Sequence, residues 1–102
     1  LHMKKQIFED YASAVAKQFH LTTQEMFTYS KRRDIIDARQ MLYYLCEERQ
    51  IRASYIQRFL EDYDYTVTHS TIIHGRNKAK ELMAFDSDVR EMVNKILESN
   101  KS

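Results

Sequence analysis

A chain of 102 residues can bury one hydrophobic core but not two. One glycine and no proline argue against hairpin-built β folds, and a phosphate-cradling loop, which needs two glycines before Lys-Ser or Lys-Thr, is excluded. Sixteen Lys/Arg against fifteen Asp/Glu, net charge +1, do not support strong indiscriminate binding to polyanions, and a single cysteine, Cys46, excludes an internal disulfide or Cys-rich metal centre.

Leu1-His2-Met3 reads as a cloning scar with Met3 as the natural start, and residues 1–3 are set aside from the fold. No signal peptide and no run of membrane-spanning length is present, so a reducing cytoplasm is the expected compartment. Ile7, Phe8, Tyr11, Ala12, Val15 and Phe19 recur at three- and four-residue steps, which predicts a helix over residues 4–19. Thr22 or Thr23 can cap a short turn holding Met26 and Phe27, with Gln24 and Glu25 near its positive end. Residues 29–33 then read as a basic loop containing Lys31, Arg32 and Arg33.

A second long helix is expected from Asp34, an acceptable N-cap, to about Gln50. Its inner stripe is Ile35, Ala38, Leu42, Leu45, Cys46 and Arg49, with Cys46 as a small buried residue. A short helix over residues 53–60, a turn over 61–68 and a helix over 69–85 make a helix-turn-helix whose second helix is the reader. Thr68 or Ser70 caps that second helix, and Ser87 is expected to cap a last helix running to Leu97.

On a helical wheel, Ile72, Gly75, Ala79 and Leu82 share one face of the reader helix, flanked by Ile73 and Met83. Ser70, His74 and Asn77 fall opposite, with Thr71 and Lys78 at the border. Gly75 on the buried side predicts a close helix–helix approach. The expected core includes Phe8, Val15, Phe19, Leu42, Leu45, Ile56, Phe59, Ile72 and Leu82. Charge is uneven: residues 31–80 carry ten basic against seven acidic side chains, whereas residues 81–102 carry three against five. The positive excess thus lies with the polar helix front and the basic loop, as phosphate contact requires.

Three motifs, Ser30-Lys31-Arg32-Arg33, Ala38-Arg39-Gln40-Met41 and His69-Ser70-Thr71-Ile72-Ile73-His74, occur in order and at nearly family spacing. In these, and over residues 7–96, the chain resembles the C-terminal DNA-binding domain of the bacterial replication initiator DnaA. The resemblance implies an all-α, Trp-repressor-like fold of five to six helices over residues 4–99, with 100–102 as a tail. It also implies sequence-specific double-stranded DNA binding in replication initiation or transcription regulation, the family's ATP-driven work belonging to another domain.

By the same resemblance Arg33 reaches a minor groove, Arg39 and Gln40 lie at phosphate and groove, and His69, Ser70 and Thr71 read bases. Physical chemistry agrees: arginine enters narrow, negative minor grooves, and Ser, Thr and His bond base edges. His74 and Lys78, deeper in the helix, can meet a base edge and a phosphate, and Lys31 and Arg32 complete the basic patch. The pattern departs from the family in three places. Thr68 stands where the family has aspartate, Glu47 or Glu48 where it has a base, and Glu61-Asp62-Tyr63-Asp64-Tyr65-Thr66-Val67 where it has Gly-Gly-Arg. These departures point to a divergent stand-alone relative of the kind carried by bacteriophages or mobile elements.

The competing reading is a degenerate helix-turn-helix that docks a protein partner on the acidic turn, Glu61 to Val67. Tyr43, Tyr44, Tyr63 and Tyr65 carry rings able to stack on bases, although burial is the expectation for the first two. His69 and His74 are five apart, off the spacing for two metal ligands on one helix face, so no metal site is expected. The pairs Glu47-Glu48 and Asp62-Asp64 lack an accompanying nucleophile and read as solvated charge, so neither an enzyme nor a cofactor is expected.

Overall fold

The computed structural model describes residues 2–100; Leu1 of the expected scar and Lys101 and Ser102 of the expected tail lie outside the described residues. Six helices follow one another: α1 His2–Gln18, α2 Thr23–Met26, α3 Arg33–Glu48, α4 Ala53–Glu61, α5 His69–Phe85 and α6 Ser87–Ser99. No strand occurs among the described residues. α1 takes in His2 and Met3, which the sequence reading had set aside.

Helix starts show which polar residues found the free backbone amides. Thr22 caps α2 in a reciprocal box: it accepts from Glu25 N at 3.0 Å, and Glu25 Oε1 accepts from Thr22 N at 2.8 Å. Thr68 caps α5, accepting from Thr71 N at 3.1 Å. Two expected caps are displaced. Arg32, not Asp34, is the N-cap of α3, and Asp34 sits in the first turn, where its carboxylate accepts from Ile35 N at 2.9 Å. Asp86, not Ser87, caps α6, because its carboxylate reaches both Asp88 N and Val89 N, at 3.0 and 3.2 Å.

Three helix ends turn through the left-handed region without glycine: His20 (φ 59°), Gln50 (φ 59°) and Asp64 (φ 55°). Each closes the same pair of bonds, for example Ile51 N to Cys46 O at 2.9 Å and Gln50 N to Glu47 O at 2.9 Å. The chain's one glycine is instead used inside α5. A Cβ on Gly75 would lie 2.8 Å from Tyr43 Cδ2 and 3.4 Å from Gln40 Cγ, so α5 approaches α3 as closely as a bare backbone allows.

α3 is the central helix, packed on α1, α2, α5 and α6, and most extensively on α5. Phe8, Val15, Leu42, Leu45, Ile56, Phe59 and Ile72 are buried as expected, and Phe19 is partly buried. Leu82 is not: it is 36 % exposed. The buried face of α5 runs through Ile72, Gly75, Arg76 and Ala79, with Met83 half-buried, so the wheel is rotated from the one the apolar residues suggest. The pivot is Arg76, only 6 % exposed. Its guanidinium donates to Tyr43 O at 3.1 Å and Ile51 O at 2.7 Å, the bonded condition under which a charged group can be buried.

Candidate nucleic-acid interface

α4, residues 62–68 and α5 form the helix-turn-helix. With its back locked by Gly75 and Arg76, α5 exposes His69, Ser70, Thr71, His74 and Lys78. Ser70, His74 and Lys78 follow at i,i+4 and form one outward row. The exposed Thr71 has its hydroxyl 2.9 Å from that of Thr68, the residue that caps α5. Ile73, expected beside the buried face, is 36 % exposed and adds apolar surface to the same end of the helix.

Lys31, Arg32 and Arg33 are exposed just ahead of α3 and at its first residue. The Arg33 side chain is 81 % exposed and makes a loose ion pair with Asp37 at 3.8 Å. Arg32 is more engaged, donating through Nε (3.2 Å) and a terminal nitrogen (2.8 Å) to both oxygens of Asp34. The bond from Arg32 holds the Asp34 carboxyl below its ordinary range, and burial raises that of Asp37. Arg33, Asp37, Gln40 and Lys78 line one open depression between α3 and α5. The fold therefore brings Gln40 and Lys78 together with the basic segment.

Arg39 is directed elsewhere. Its guanidinium donates to the carbonyls of Thr28 (2.7 Å), Ser30 (3.1 Å) and Met26 (3.3 Å), and it lies 5.6 Å from the centre of the Tyr65 ring. It holds the backbone from which the basic segment projects.

In the acidic, tyrosine-rich turn the two tyrosines and Asp62 have partners in the fold, while Glu61 and Asp64 are exposed. Asp62 pairs with Lys5 at 2.7 Å, and the Tyr63 hydroxyl donates to Glu9. Burial, together with that bond, pushes the Tyr63 hydroxyl up to about 12. Tyr65 is 4 % exposed and the Tyr63 ring packs 4.6 Å from Phe27, so Tyr65 has no face free for base stacking and Tyr63 packs into the fold. Tyr43 is buried as expected, with its hydroxyl lacking a partner among the described residues, and burial raises its pKa far above the usual range. Of the two acids set against a family-basic position, Glu47 or Glu48, Glu47 pairs with Lys80 of α5 at 3.0 Å.

Sequence reasoning missed Tyr29. It is 66 % exposed, yet its hydroxyl accepts from Thr66 N at 2.8 Å and donates to Thr66 O at 3.1 Å, across 37 residues of chain. Nothing local in the sequence signals that pairing.

None of the described helices is long and apolar enough to cross a membrane. A family model described as the bacterial dnaA protein helix-turn-helix matches residues 9–79. That span runs from α1 into α5 and contains the basic segment, the Arg39-Gln40 pair, the turn and the exposed row of α5. The chain belongs to the bacterial DnaA helix-turn-helix family, a family of DNA-binding domains.

Proposed function

We propose that this domain binds double-stranded DNA sequence-specifically, with the front of α5 in a major groove and the basic segment at the adjoining minor groove. The observation that carries this reading is the exposure of His69, Ser70, Thr71 and His74 together on a helix whose opposite face packs closely on α3. Such a helix offers hydrogen-bonding groups and methyls at fixed positions, as base-edge readout requires. His69, Ser70 and Thr71 read bases, and His74 meets a base edge one turn deeper. Lys78, Gln40, Lys31 and Arg32 meet phosphates, and Arg33 enters the minor groove. Arg39 acts through the segment it holds.

The proposed output is regulation at a replication origin or promoter by occupancy, without ATP hydrolysis by this domain, at the nucleoid of a bacterial cytoplasm, in a divergent relative of phage type. The rival reading, a protein partner on the acidic turn Glu61 to Val67, is weakened by the pairing of Asp62 with Lys5 and the burial of Tyr65.

A titration of labelled duplex against salt tests the proposal. Four cationic side chains at the DNA, Lys31, Arg32, Arg33 and Lys78, give a slope of log affinity against log salt of about −4. Lys78→Ala weakens all duplexes alike and reduces that slope by about one unit. Binding that ignores salt, or no binding to any duplex at low salt, overturns the DNA reading in favour of a protein partner.

A further inference from the structure

Two elements that carry the proposed DNA contacts, the basic segment and the front of α5, are far apart in sequence and joined in space through Tyr29. The Tyr29 hydroxyl holds both the N–H and the carbonyl of Thr66, two residues before the N-cap Thr68. Its ring lies 4.7 Å from that of Tyr65, at 35°. On the other side, Arg39 grips the carbonyls of Thr28 and Ser30, the residues flanking Tyr29. The turn is held from α4 as well, where Gln57 Nε2 donates to Val67 O at 2.9 Å. A chain of bonds thus runs from α3 through residues 28–30 and the Tyr29 hydroxyl to Thr66, and on to the cap that starts α5.

We infer that Tyr29 is a positioning residue that sets the distance between the basic segment and the front of α5, so the two meet adjacent grooves as one rigid unit. The inference rests on the DNA reading above and adds how the two contacts cooperate. An arm already ordered in the free protein loses little freedom when Arg33 binds, so its contact adds fully to that of α5. An untethered arm must be ordered on binding, and its contribution shrinks. The acidic, tyrosine-rich turn therefore has a use that its charge does not suggest: Tyr65 and Thr66 form the seat for Tyr29.

The test uses the full chain and a duplex selected from a random pool. Two altered duplexes accompany it: one with the A·T-rich flank at the basic segment changed to G·C, and one with the core scrambled. Tyr29→Phe keeps the ring and removes only the hydroxyl of a largely exposed side chain, so it folds, and a melting curve verifies this. The variant is expected to lower the preference for the A·T flank by roughly three- to tenfold, the range of one net hydrogen bond. Its preference for the core over the scrambled duplex stays as in wild type. In an Arg33→Ala background the same change has no further effect on flank preference. Amide exchange in the free protein speeds up at Thr66 and in the basic segment together. A fall in both preferences together marks a general loosening of the fold and overturns the positioning role. The inference is overturned if Tyr29→Phe keeps the wild-type flank preference, if the two substitutions act additively, or if wild type reads the core with no flank preference. A wild type that fails to tell core from scrambled duplex overturns the DNA reading itself, and the inference with it.

Discussion

The two faces of α5 use similar residue types to opposite ends. On the back, an arginine and a glycine are structural: Arg76 is buried on the carbonyls of Tyr43 and Ile51, and Gly75 leaves no room for a methyl against Tyr43. On the front, His69, Ser70 and His74 face solvent, Lys78 makes a loose surface pair with Glu81 at 3.7 Å, and the Thr71 hydroxyl meets that of Thr68. Charge and polarity do not separate the faces, since the most basic side chain of the helix is on the buried one. The separation comes from whether the fold already supplies each group's partners. A group with its partners in place holds the helix, and a group without them is left for a ligand.

The sharpest way to break this comparison is to change the back and read stability. Arg76→Ala leaves two buried carbonyls without their donor and a void, and is expected to cost about 3 kcal/mol in urea unfolding. Gly75→Ala drives a methyl into a buried ring and costs about 1–3 kcal/mol. Both variants, while folded, should keep the wild-type ranking of DNA sequences. Unchanged unfolding with an altered ranking would show that the faces are not separate.

The converse change is on the front. Thr71→Ala is expected to lose about 1–3 kcal/mol on the best duplex and much less on a scrambled one at the same salt. Because the capping bond from Thr71 N to Thr68 survives, unfolding should move by less than about 0.5 kcal/mol. His69→Ala follows the same pattern. Equal losses on both duplexes would remove these residues from the readers.

The smallest effect expected lies outside both faces and serves as a control. Gln50 closes α3 at φ 59°, a conformation glycine adopts without steric cost, so Gln50→Gly should stabilise the fold by about 0.5–1 kcal/mol. Affinity for DNA should not change. A destabilised variant would mean that the Gln50 side chain carries a contact worth more than the backbone relief.

Much of this architecture was legible because helices are written in local periodicity. The interior runs of α1, α3, α4 and α5 lie within two residues of their expected spans, the Gly75 contact was readable from wheel position, and of the two caps offered for α5, Thr68 and Ser70, the structure takes Thr68. The caps of α3 and α6 were not. Asp34 and Ser87 are good capping residues, but a cap is decided by which neighbour leaves the helical conformation first, and that depends on how the connection is packed. The candidate site was legible as a set of polar residues on one side of α5 and a basic run before α3. The contact through Tyr29 was not, since an exposed tyrosine looks the same whether or not a distant amide meets it.

By itself the sequence determined an all-helical domain, the order of its helix-turn-helix, the polar front of the reader helix and its family motifs. These follow from spacing and residue chemistry within a few turns of chain. Only the tertiary structure decided that Arg76 is buried and Leu82 is not, that Arg39 grips a loop, and that Tyr65 seats Tyr29. A long polar or aromatic side chain carries no fixed preference for inside or outside. Its place depends on whether carbonyls and amides from remote segments arrive within about 3 Å, and that is set by how the helices pack.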